Sequence, residues 1–165
     1  MNDLLQQTRS AIACQLYYLA LNSALALPDI CGALEAPDGQ ATRARYAAWF
    51  DKHVAPAYGG TLDGDACYRF RCSMLHQGRT QHPKAKYARL VFIEPGARGH
   101  VLHNNVVNDA LNIDVRVFCE DVVHAAELWL PSAINQPQVA SNMDAFVRRY
   151  PDGLPPYILG VPVIG

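Results

Sequence analysis

Residues 63–93 read DGDACYRFRCSMLHQGRTQHPKAKYARLVFI, and the hydrophobic pattern changes its period inside them. Asp63 suits a helix N-cap and Asp65 a first turn, and Gly78 sits where a C-terminal glycine belongs. The spacing predicts a helix over 64–77. From Tyr87 to Ile93 the composition turns to strand formers, followed by turn chemistry at Glu94-Pro95-Gly96-Ala97-Arg98-Gly99. His100 to His103 can pair back on that strand, and Leu111-Asn112-Ile113 can add a short third one. A helix giving way to strands implies a mainly α fold (α+β): a helical bundle with an inserted β-hairpin or small antiparallel sheet around 87–113.

The flanks read as helices. No proline or glycine interrupts Leu4 to Leu27, and Leu5, Ile12, Leu16 and Leu19 recur at helical spacing. Such a helix would be roughly 35 Å long. Pro28 disfavours helical backbone at Leu27, so the helix is expected to stop there, with Asp29 capping a short turn through Leu34. Pro37-Asp38-Gly39 is a turn. A second helix is expected over Gln40–Val54, with Ala44, Ala47, Ala48, Phe50 and Val54 on its apolar side and Trp49 nearby. Beyond the strands, Asp114 should cap a helix whose stripe is Val115, Phe118, Val122, Ala125 and Trp129, closed after Leu130 by Pro131. A last helix is expected from Ser141, then an extended, proline-rich tail from Pro151 that docks on the domain. No repeat or linker divides the chain, so 1–165 reads as a single domain.

The chain has 165 residues, half of them hydrophobic and 18% charged, with a formal charge of −1. This is a globular composition without the overall positive charge of a bulk nucleic-acid or membrane binder. Five cysteines, an odd number with no CxxC pair, read as reduced thiols acting mostly as small buried groups. The Met1-Asn2-Asp3 start lacks the basic opening of a secretory leader, and no apolar run approaches the roughly 20 residues that span a bilayer. A cytoplasmic location is the expectation.

Arg71 is the anomaly. On the 64–77 helix its one-turn neighbours are Cys67, Tyr68, Met74 and Leu75, so a guanidinium interrupts an apolar stripe. Holding it there without a partner would cost several kcal/mol. The offset could be a stem that packs while the head reaches water, an internal ion pair, an interface, or an anionic ligand. His76 follows in the last turn, where the helix dipole favours a protonated imidazole. From Ala66 to Ile93 there is no acidic residue, while Arg69, Arg71, Arg79, Lys84, Lys86 and Arg89 supply six of the fourteen Lys and Arg. Phosphate suits such a segment, and so does a solvated loop whose counter-charges come from elsewhere in the fold.

At Arg71-Cys72-Ser73-Met74-Leu75-His76 the sequence resembles the HEPN superfamily. These are helical-bundle proteins whose active members carry an arginine, four to six intervening residues and a histidine near a helix end. Arg69 with His76, and Arg98 with His103, share the spacing. The resemblance implies metal-independent RNA cleavage, usually at a homodimer interface, with Arg71 and His76 catalytic and RNA or a nucleotide as partner. The basic residues Arg69, Arg79, Lys84 and Lys86 are the expected substrate contacts. The alternative is a non-catalytic interaction domain in which Arg71 is structural and the hairpin edge meets a partner. No cofactor is expected. His100-x-x-His103 offers two imidazoles, but residues three apart on a strand face opposite ways, so no metal is expected there either. Cys67 and Cys72 read as core.

Overall fold

The computed structural model describes residues 1–80, 86–96 and 102–165. The expected first helix is two helices, α1 (Asn2–Ala13) and α2 (Tyr17–Leu34), parted by a turn in which Gln15 takes a left-handed φ of 58°. The break leaves Leu16 and Leu19, expected on the apolar face, exposed at 51% and 59%. It lets α1 bury Leu5 and Ile12 against α2 and the long helix near the C-terminus, instead of running straight past them. At the other end Pro28 does not stop α2, which continues to Leu34. A proline inside a helix removes a hydrogen bond and costs roughly 3 kcal/mol. Burial of Leu27, Pro28, Cys31 and Leu34 on one continuous segment outweighs it. Asp29 is therefore an internal helical residue and not the cap of a separate turn.

The second expected helix forms as α3 (Arg43–His53), where Thr42 accepts from the Arg45 amide at 3.3 Å. Its buried face is Tyr46, Trp49 and Phe50, while Ala44 and Ala48 are exposed. The rings remove more apolar area from water than the alanines can, and they set the rotation of the helix. A short 3-10 turn, Ala55–Tyr58, leads on to α4 (Gly64–Gln77). Asp63 accepts from the Ala66 amide at 2.7 Å, and Gly78 ends α4 with φ 62°, as the sequence predicts. Helices α3 and α4 touch closely at Gly64, where a Cβ would lie 2.4 Å from the Ala47 carbonyl oxygen.

The sheet lies where the strand-forming composition predicts it, with different pairing. β1 (Arg89–Ile93), β2 (Asn105–Val107) and β3 (Ala110–Asp114) are ordered β1-β3-β2. Residues 100 and 101 of the expected return strand lie outside the described residues, and 102–103 are not in a strand. β1 runs parallel to β3, with Leu90 opposite Leu111 and Phe92 opposite Ile113. The hairpin is β2–β3, closed by Asn108 and Asp109, both at positive φ. Two such residues suit the two-residue turn that matches strand twist, so the sheet is mixed rather than purely antiparallel. His103 lies outside the strands, and His100 lies outside the described residues.

Asp114 accepts from the Val117 amide at 3.0 Å and opens α5 (Val115–Ala133). The expected stripe is buried, joined by Cys119, Val123 and Ala126, and Pro131 is carried inside the last turn. α6 (Pro137–Asp144) begins earlier than Ser141, with Pro137 at its first position. Asn142 on α6 donates to the carbonyls of Leu34 and Ala36, both at 2.9 Å, which satisfies the C-terminal end of α2. The tail pairs with itself: β4 (Arg149–Tyr150) with β7 (Val163–Ile164), and β5 (Gly153–Leu154) with β6 (Ile158–Leu159). It does not bury its apolar residues as expected, since Tyr157 is 84% exposed and Ile164 77%. Mainly α with a small sheet is thus the architecture, and α2, α3, α4 and α5 enclose its core. Among the described residues no helix is long and apolar enough to cross a membrane.

Candidate functional site

α2 and α4 lie against each other, and their two out-of-place charges meet. Arg71 Nη2 is 2.5 Å from Asp29 Oδ2, with side chains 20% and 11% exposed. The contact is an ion pair without hydrogen-bond alignment. Asp29 Oδ2 and Arg71 Nε both lack a hydrogen-bond partner, so each retains capacity for a better-aligned one. Burial pushes the Asp29 carboxyl above the usual carboxylate range, and the Arg71 charge only partly offsets this. Arg71 also has its guanidinium carbon 5.9 Å from the centre of the Tyr68 ring. That ring is held edge-on by buried Tyr46, with centroids 5.3 Å apart. The apolar surround of Arg71 is thus real, and Asp29 is the offset that the sequence demanded.

The other edge of the guanidinium faces His76, with Arg71 Nη1 2.9 Å from His76 Nε2. A guanidinium can only donate. As a hydrogen bond, this contact therefore makes Nε2 the acceptor and places the imidazole proton on Nδ1. His76 is exposed and Arg71 half-buried. The arrangement is a pinned cation whose outer edge supports a solvent-facing imidazole with a basic nitrogen. It can place two N–H donors and one proton acceptor beside a single oxyanion.

Among the described residues, Arg69 and Lys86 are held elsewhere. Arg69 Nε donates to Asp65 Oδ2 at 2.8 Å, one turn back, and Arg43 holds the same carboxylate. Together they keep Asp65 below the usual carboxylate range, Arg69 contributing most. Lys86 Nζ donates to the Gly60 carbonyl at 2.9 Å and lies over the Tyr87 ring. Arg79 lines a separate cleft with Tyr18, Phe70 and Arg89. Lys84 lies outside the described residues, as does Arg98. The counter-charges of Arg71 and Arg69 are thus found on α2 and at the start of α4.

Two readings of other residues can be placed. The Cys67 thiol is buried, 3.2 Å from the Tyr46 hydroxyl, and burial pushes it up to about 12, which suits a core group and not a nucleophile. Cys72 is half-buried beside Arg71, at 3.9 Å from Nη1. Among the described residues, no three His, Cys, Asp or Glu side chains are grouped to hold a metal.

Sequence reasoning missed Asp29, because Pro28 suggested a helix end there. The signal was available. Asp29 is the one acid between Ala20 and Leu34, and it matches the lone arginine on the apolar stripe of α4. No family model matches the chain, and no curated protein or solved structure is significantly similar to it.

Proposed function

We propose that the chain is a metal-independent endoribonuclease that uses Arg71 and His76, the activity implied by the HEPN resemblance. The observation that carries this reading is the 2.9 Å contact between Arg71 Nη1 and His76 Nε2 on an exposed rim. His76 Nε2 takes the proton of a ribose 2'-hydroxyl, and the 2'-oxygen attacks the adjacent phosphorus. The bond to the 5'-oxygen breaks, that oxygen takes a proton from water, and a 2',3'-cyclic phosphate remains. Arg71 donates to the non-bridging oxygens as their charge grows, so its N–H groups turn from Nε2 to phosphate as His76 becomes the base. Asp29 holds the guanidinium in place from the buried side. Charge follows the same logic: an arginine already paired to a carboxylate binds phosphate through its free edge, with less net attraction than a bare one.

A second reading is favoured by the ion pair itself. Asp29 neutralises Arg71, as it would in a non-catalytic interaction domain that needs the pair only to join α2 to α4. One experiment separates the two. Purified protein is incubated with single-stranded RNA in the presence of a chelator, beside His76→Ala, whose exposed side chain can be removed without opening the core. Cleavage that leaves cyclic phosphate ends and falls at least a hundredfold in the variant is the expected result, since general acid–base groups contribute typically 10²–10⁴-fold. Equal cleavage by both proteins, or by neither, gives the second reading.

A further inference from the structure

A cleft separate from the Arg71 pair stands out by its lining. It has a volume of about 500 Å³ and opens between the start of α2, the end of α4 and β1. That volume is within the usual range for small-ligand sites. Its walls set aromatic and polar groups among apolar ones such as Leu21, Met74, Leu90 and Val91. Tyr17, Tyr18 and Phe70 provide aromatic faces, Arg79 and Arg89 provide guanidinium groups, and Asn22 provides an amide. Tyr18 is 79% exposed, so a large ring stands in solvent at the mouth with most of its stacking surface uncovered. Arg79 follows directly on Gly78, the left-handed residue that ends α4, and is also exposed. Among the described residues of the lining, Glu94 is the carboxylate.

We infer that this cleft binds one nucleotide of a single-stranded RNA, with the base stacked on Tyr18 and a flanking phosphate on Arg79. Three features point to a nucleotide instead of an apolar or peptide guest. A π-face beside a guanidinium is the pairing that single-strand binders use, because every base has a stacking face and every linkage an anion. An amide at the wall can meet the edge of a base. The position also fits. Asn22 of the cleft and Asp29 of the Arg71 pair share α2 two turns apart, roughly 10 Å along its axis, and Met74 of the cleft is one turn from Arg71 on α4. A strand seated in the cleft can therefore continue toward His76. The inference rests on the proposed RNA reading for the identity of the polymer, and its test does not depend on cleavage.

The test uses the His76→Ala chain, so that bound RNA stays intact, and follows a fluorescein-labelled hexaadenylate by anisotropy. Tyr18→Ala in that background is expected to weaken binding roughly tenfold, within the range of one lost stacking contact, while Tyr18→Phe keeps it. Arg79→Ala is expected to weaken binding and to flatten its dependence on salt by about one phosphate contact. Both side chains are exposed, and unchanged melting temperatures confirm that the variants fold. Absence of binding, or equal binding by Tyr18→Ala, overturns the inference. If the oligonucleotide binds through Tyr18 while the parent chain cleaves nothing, the cleft stands and the nuclease reading falls. If the parent cleaves but Tyr18→Ala binds normally, the reverse holds.

Discussion

Two residues apart on α4, Arg69 and Arg71 each meet an aspartate: Arg69 meets Asp65 one turn back on its own helix, and Arg71 meets Asp29 on α2. The functional groups are the same and the distances are similar, at 2.8 and 2.5 Å. Solvent separates the two. Asp65 is 43% exposed and shares two arginines, so water already satisfies much of its charge. Asp29 is 11% exposed and has lost most of its water, which Arg71 replaces only in part. The two carboxyls consequently move in opposite directions, Asp65 down and Asp29 up. The two arginines are equally covered, at 18% and 20% exposed, so the difference lies in the carboxylate each one meets: Arg69 reaches a solvated one on its own helix, while Arg71 reaches a buried one, ties two helices together and has only one edge left for chemistry.

The largest expected effect comes from breaking the inner pair. Asp29→Ala leaves a half-buried guanidinium without its counter-charge and should destabilise the fold by about 3 kcal/mol. For a chain of this length that lowers Tm by roughly 10 °C. The double variant Asp29→Leu, Arg71→Met should recover most of the loss, since an apolar pair of similar volume replaces the ions without desolvating a charge. Calorimetry on the three proteins checks both outcomes. A single variant that melts with the parent would mean that Arg71 reaches water readily and that the apolar stripe does not constrain it.

A smaller and more diagnostic effect is the order in which the two aspartates titrate. At pH values between the ordinary carboxylate range and the raised one of Asp29, the folded chain keeps a proton that the unfolded chain has released. The contribution of Asp29 to stability is therefore present in acid and lost as pH rises through its folded value. Asp65 behaves in the opposite sense: its contribution is present above the ordinary value and lost as pH falls through its lowered one. Carboxyl-carbon NMR should place the Asp29 midpoint above that of Asp65. The reverse order would show that Arg71 outweighs desolvation, and would bring the inner pair closer to an ordinary salt bridge.

How far this contrast can be read from sequence follows from where the information lies. Helix α4 is legible end to end because Asp63 and Gly78 punctuate it locally, and the anomaly of Arg71 is legible because helical neighbours are fixed by spacing. The partner is not. Asp29 sits on another helix, next to a proline whose local preference for ending a helix loses to burial of Leu27, Cys31 and Leu34. The strands show the same division. β1 and β3 are marked by composition, but their parallel pairing is a non-local fact. The true hairpin hides behind Asn108 and Asp109, which reach positive φ without the glycine that usually advertises such a turn. The spacing of Arg71 to His76 is legible in sequence, but their contact depends on the fold, because Arg69 shares both the helix and a permitted spacing yet is drawn to Asp65.

The smallest effect belongs to the outer pair, and it is the control on the whole contrast. Asp65→Asn removes one charge from a cluster in which Asp65 and Arg43 are solvated, at 43% and 51% exposed. Exposed pairs are worth about 0.2–1 kcal/mol, and salt screens them further. The expected change in Tm is about 3 °C or less, and it should shrink as ionic strength rises. The Asp29→Ala loss should persist in salt, because screening ions do not enter a contact from which water has been excluded. Melting both variants across a salt series therefore compares the mechanisms directly. Were Asp65→Asn as damaging as Asp29→Ala, and equally insensitive to salt, burial of the carboxylate would not be what distinguishes the Arg71 pair from the Arg69 pair. The guanidinium at the candidate site would then be as replaceable as its neighbour.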